Sequence, residues 1–139
     1  MTRSLLWASA CLWSSLTTTV CLAANTAQID RGRYLVEEIA KCSDCHTPRL
    51  ASGQLDRSKW LKGATLDFKP IADVPGWQTA SPDVTSTSYI WKNWGKSGVF
   101  KLLTTGLAPN GRPARPPMPA FKMKPADARA VIAYLKSLK

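Results

Sequence analysis

The sequence predicts a small all-α fold, with a helix near each end of the chain packed against the other and irregular loops between them. Three observations predict it. Apolar residues recur at helical spacing in two stretches, Ile29–Lys41 and Pro125–Leu138. Residues 47–88 lack clear periodicity and are punctuated by Pro48, Gly53, Gly63, Pro70, Pro75, Gly76 and Pro82. No βαβ pattern surrounds the paired cysteines Cys42 and Cys45. At 139 residues the chain has room for one domain.

The first helix places Gly32, Leu35, Val36 and Ile39 on one apolar face, with Glu37 and Glu38 toward solvent. Asp30 near its start complements the positive helix end. Gly32 marks a close helix–helix approach. In the wrapping segment, Trp60, Leu61, Leu66, Phe68, Ile71 and Trp77 supply apolar wall or core. A third helix lies within Ile90–Thr104, surest over Ser97–Thr105, with Gly106 as its stop. Trp91 or Trp94 within it offers an indole N–H to an anionic group, with core packing alone the favoured role for either. The last helix begins on Pro125, which suits a first turn. Its stripe of Val131, Tyr134, Leu135 and Leu138 should pack on the first helix.

The first helix delivers Cys42-Ser43-Asp44-Cys45-His46 at its end. This is the C-x-x-C-H spacing of covalent c-type haem attachment. Two thiols so placed reach two vinyl groups on one porphyrin edge, and the next residue brings its imidazole under the iron. A bound porphyrin also explains the long loop segment, because it gives loops a large apolar surface to pack on. A redox dithiol and a zinc site are the alternatives. The dithiol would want a βαβ context. The zinc site would want a fourth strong ligand beyond Cys42, Cys45 and His46.

Residues 1–24 read as an export signal, and residues 25–139 as the mono-haem domain. Arg3 provides the charged start, an apolar but Ser/Thr-diluted run extends from Leu5 to Leu22, and Leu22-Ala23-Ala24 offers small residues for cleavage. A retained anchor is the alternative; the run is short and polar for a spanning helix. Cleavage removes Cys11 and Cys21, leaving cysteines only in the motif, which suits an oxidising periplasm. No stable membrane span is then expected. The net charge is +10, from 19 basic and nine acidic residues. This balance favours an acidic redox partner. Nucleic acid is not expected, because the basic residues are scattered and the protein is exported.

His46 is the only histidine, so a second axial histidine cannot come from this chain. Beyond the leader, Met118 and Met123 are the thioether candidates. Met118 is favoured because Arg115-Pro116-Pro117-Met118-Pro119 is a stiff, extended loop that fixes its approach. The alternative is a five-coordinate iron, open to a gas or peroxide.

The chain resembles class I cytochromes c, and most closely the single-haem domains in cytochrome subunits of bacterial periplasmic dehydrogenases. The matching pieces are Gly32-Arg33-Tyr34-Leu35-Val36, Cys42 to Pro48, Ser81-Pro82-Asp83-Val84-Thr85, Thr105-Gly106, Pro109-Asn110-Gly111-Arg112, Pro116 to Phe121, and Asp127-Ala128 through Ala133-Tyr134-Leu135. The resemblance implies helices wrapped around one haem, thioether links at Cys42 and Cys45, and His46 and Met118 as axial ligands. It implies an electron carrier rather than an enzyme, passing single electrons between a dehydrogenase or other donor and a respiratory acceptor. A peroxidase-like enzyme and a gas or redox sensor are the competing classes. The family's Pro-Asn-Ile-Thr reads Pro82-Asp83-Val84-Thr85 here, which leaves the propionate contacts unassigned.

Overall fold

The computed structural model describes residues 25–139. The expected leader, with Cys11 and Cys21, lies outside the described residues. Helix α1 covers residues 25–34 and widens into a π-helical turn at Leu35–Ile39. The motif forms the short helix α2, Cys42–His46, and Arg57–Lys59 make a 3₁₀ turn. Two-residue strands β1 (Ala64–Thr65) and β2 (Ala80–Ser81) pair antiparallel, with Ala64 opposite Ser81. Helices α3 (Tyr89–Asn93), α4 (Gly95–Thr105) and α5 (Pro125–Ser137) complete the fold. The architecture is the expected all-α one, and the small β ribbon is an addition that the irregular sequence did not signal.

The two end helices meet where expected. A Cβ built on Gly32 would fall 2.0 Å from the Ala130 carbonyl oxygen and 2.7 Å from Tyr134 Cβ. Only hydrogen fits there, so the α1 and α5 backbones touch directly. Beside this contact, Leu35, Val36, Val131, Tyr134 and Leu135 are buried in one core with Val99 and Leu103 of α4. At the rim, Arg31 donates to Asp127 at 3.0 Å. That ties the start of α5 to α1 and matches the placement of a carboxylate in a helix's first turn.

One face residue departs from expectation. Ile39 is 58% exposed, although its spacing places it with Leu35 and Val36. The cause is the π turn. Ala40 N–H bonds to the Leu35 carbonyl at 2.8 Å, five residues back, and the wider turn rotates Ile39 away from the core. Lys41 then takes a left-handed conformation (φ 51°), which breaks the helix and lets α2 start in a new direction.

Helix α4 ends on Gly106 at φ 76°, with its N–H on the Leu102 carbonyl, as the sequence predicts. The wall residues divide. Leu61 is fully buried and Trp60 packs on the core, whereas Phe68 and Ile71 are exposed. Among the described residues, no helix is long and apolar enough to cross a membrane.

Candidate functional site

The motif is held by hydrogen bonds from loops that are distant in sequence. Gly63 N–H donates to the His46 carbonyl at 2.8 Å, and Leu61 N–H donates to Thr47 Oγ1 at 3.0 Å. Ser81 Oγ donates to the Cys45 carbonyl at 2.5 Å and accepts from Ala64 N–H at 3.0 Å. Ser81 therefore ties β1, β2 and α2 at one point. Leu61 holds a left-handed backbone (φ 58°) while buried, and Val84 N–H bonds to its carbonyl at 3.0 Å. Asp83 Oδ1 accepts from Thr85 N–H at 2.6 Å, which shapes the turn that carries Pro82.

That turn fixes the histidine. His46 Nδ1 lies 2.8 Å from the Pro82 carbonyl oxygen. A carbonyl only accepts, so Nδ1 carries the proton and Nε2 keeps its lone pair. Burial lowers the His46 pKa, partly offset by the Pro82 bond and the nearby Asp83. The ring is therefore a neutral imidazole of fixed tautomer, the form a metal requires.

Cys42 and Cys45 are free, half-buried thiols on the same short helix. Burial pushes the Cys42 thiol up to about 11 and raises Cys45 as well, with Asp44 adding to both. A dithiol redox centre needs a depressed pKa, so these are poor thiolate nucleophiles. Among the described residues, no group of three or more His, Cys, Asp and Glu converges to hold a metal. The zinc arrangement therefore has no geometric support, while the C-x-x-C-H order on one helix suits haem attachment.

The methionines separate clearly. Met123 packs against the hydrophobic core, and its N–H bonds to the Leu103 carbonyl at 2.9 Å. Met118 is half-buried but does not belong to that core. Its N–H turns back on the Arg115 carbonyl at 3.1 Å, and the Pro116 carbonyl accepts from Gln78 N–H at 2.7 Å. The proline loop is thus anchored to the wrapping segment.

One residue was missed by sequence reasoning. Trp91 packs against the core, the role favoured for it, and gives its Nε1–H to the Val84 carbonyl at 3.2 Å. Trp94 packs on the core and on Gly98. Trp77 instead has a buried Nε1 with no partner, and its ring meets Phe68 edge-on at 5.9 Å. A buried N–H without an acceptor is costly. A haem propionate is an acceptor of the right chemistry, so the residues present fit the group. No sequence signal distinguished Trp77 from the other tryptophans.

Comparison with known proteins agrees with this geometry. The chain is 32% identical over 115 residues to the fructose dehydrogenase cytochrome subunit of Gluconobacter japonicus, covering 78% of this chain and 22% of that protein. It is 31% identical over 112 residues to a diheme cytochrome c-type protein of Cereibacter sphaeroides, covering 77% and 34%. It is 30% identical over 120 residues to a nicotinate dehydrogenase subunit of Pseudomonas putida, covering 82% and 9%. The chain thus spans about a third or less of each of these relatives. The family model described as Cytochrome c matches residues 29–139. With the Cys42, Cys45 and His46 motif set on one helix and the matching fold around it, this chain belongs to the cytochrome c family, carries a covalently bound c-type haem and serves haem-based electron transfer.

Proposed function

We propose that the protein is a periplasmic single-electron carrier in which Cys42 and Cys45 form the thioether links and His46 and Met118 are the axial ligands. The observation that carries this reading is the His46 Nδ1 contact to Pro82, which leaves Nε2 as a lone pair on a neutral, buried ring. Met118 outside the core, on a loop anchored through Pro116 to Gln78, supports it as the second residue that would hold the iron.

When bound, the haem supplies one-electron chemistry, its iron alternating between ferric and ferrous forms. The chain's residues make that exchange easy. Pro82 prevents His46 from rotating or changing tautomer. The loop around Met118 holds the thioether in place, and methionine ligation favours a high potential. Trp77 Nε1–H, buried without a partner, would be satisfied by donating to a haem propionate. His46, held by Pro82, and Met118, on its anchored loop, would hold the haem iron without rearrangement.

Two of the relatives are named as dehydrogenase subunits, which supports a dehydrogenase as electron donor and a respiratory protein as acceptor. The net charge of +10 supports an acidic docking surface on that partner. The export signal read in residues 1–24 supports the periplasm.

Visible spectra of the purified protein, oxidised and reduced, test the ligand set. Low-spin haem with the weak red methionine–iron band, lost in Met118→Ala, is expected. A high-spin wild-type spectrum with rapid cyanide binding would instead indicate an open iron and a peroxidase or sensor.

A further inference from the structure

A groove of about 690 Å³ runs between the start of α1, the first turns of α4 and the length of α5. None of its lining residues belongs to the motif, the Met118 loop or the segment 47–88 that wraps the motif. Its floor is apolar, made by Ile29, Phe100 and Ile132. Its rim is cationic, made by Lys96, Arg129 and Lys136, and no Asp or Glu lines it.

Among the described residues, these three cations have no carboxylate partner. The ion pairs there are Arg31–Asp127, Arg33–Asp30, Lys41–Glu38 and Arg57–Glu37. Two of the rim cations are instead placed by aromatic rings. Arg129 lies over Phe100 with its guanidinium carbon 6.0 Å from the ring centre, and Lys136 Nζ lies 5.2 Å from the centre of Trp91. Lys136 also donates to the Ser86 carbonyl at 3.4 Å. Such contacts orient a cation without neutralising it. Arg129 and Lys136 sit two turns apart on α5, about 10 Å along its axis.

We infer that this groove docks an acidic helical segment of a partner protein. Carboxylates two turns apart on that segment meet Arg129 and Lys136, and an apolar side chain between them rests on Phe100 and Ile132. Charge complementarity selects the occupant: an apolar floor inside an unpaired cationic rim favours an amphipathic acidic segment over a neutral one. The surface tethers a partner away from the site where electrons are exchanged, so it adds to the electron-transfer reading without depending on the identity of the axial ligands.

The probe is a short helical peptide with glutamates two turns apart flanking a leucine, titrated into the haem-loaded protein and followed by NMR shifts. At about 0.15 M ionic strength it should shift residues of α4 and α5. The combined variant Lys96→Glu, Arg129→Glu, Lys136→Glu should weaken binding about tenfold or more. Ser97→Trp, which fills the groove without changing charge, should also weaken it. Reversal of Lys59, Lys62 and Lys69 should leave it within about twofold. An unaltered visible spectrum in each variant shows that the fold is intact. Equal binding of a peptide with glutamines in place of glutamates, or undiminished binding by the triple variant, would overturn the proposal. So would capture by anionic phosphatidylglycerol vesicles in the absence of any peptide binding.

Discussion

Where α1 meets α5, the contact is backbone against backbone, sealed by buried Leu35, Val36, Val131 and Leu135. Around the motif, regular structure is scarce and shape comes from single hydrogen bonds across long sequence separations: Gly63 to His46, Leu61 to Thr47, Ser81 to Cys45 and His46 to Pro82. The clasp excludes water by packing and tolerates no added atom. The cradle is a set of polar tethers that still holds an unsatisfied Trp77 Nε1 and Thr85 Oγ1. The clasp therefore sets stability, while the cradle sets the orientation of the motif. A change in the clasp should leave the orientation of the motif largely untouched.

Gly32→Val is the strongest way to break the clasp. Its Cβ would meet the Ala130 carbonyl, which is backbone and cannot step aside. Overpacking of this severity should cost about 3 kcal/mol or more, read as a fall in the denaturant midpoint. A variant of unchanged midpoint would mean that α1 and α5 are not in backbone contact.

Ser81→Ala strikes the cradle. It removes the bond to the Cys45 carbonyl and the acceptor for Ala64 N–H. The expected loss is about 1–2 kcal/mol, with broadened haem-region NMR signals as α2 loses its tether. If only stability changed and the signals stayed sharp, Ser81 would not orient the motif.

The smallest effect probes the link between clasp and cradle through pH. Tyr134 OH donates to Glu37 at 2.5 Å and accepts from Trp60 Nε1 at 3.1 Å, joining α5 to the wrapping segment. Burial first, and then the bond to Glu37, push the phenol from 10.0 up to about 12. The folded protein keeps this proton at a pH where the unfolded chain loses it. Its stabilisation is therefore complete below pH 10 and declines as pH rises toward 12. The hydroxyl's bonds are only part-buried, and solvent screening there holds the loss to about 1 kcal/mol. In Tyr134→Phe that part of the alkaline decline should vanish; an identical slope would place the titration elsewhere.

Much of the clasp was legible in the sequence, because helical periodicity and a lone Gly32 report directly on a packed face. Ile39 escaped, since nothing in its spacing announces a π turn. The motif was legible because chemistry restricts the residue types, and the choice of Met118 over Met123 rests on prolines that restrict the backbone. The cradle was not. Ser81, Pro82 and Trp77 act through contacts between distant loops, and such contacts leave no periodic trace. Trp91 and Trp94 pack against the core, as favoured, and the Trp91 N–H is taken by Val84.

The proposed division between site and core comes down to two thioethers, with Met118 assigned to the iron and Met123 packed against the core. Comparing Met118→Ala with Met123→Ala, for both visible spectrum and denaturant midpoint, tests it directly. Met118→Ala should lose the red methionine–iron band. Met123→Ala should keep the band and lose about 2 kcal/mol of stability. The opposite pattern, with the band lost in Met123→Ala and kept in Met118→Ala, would refute the assignment.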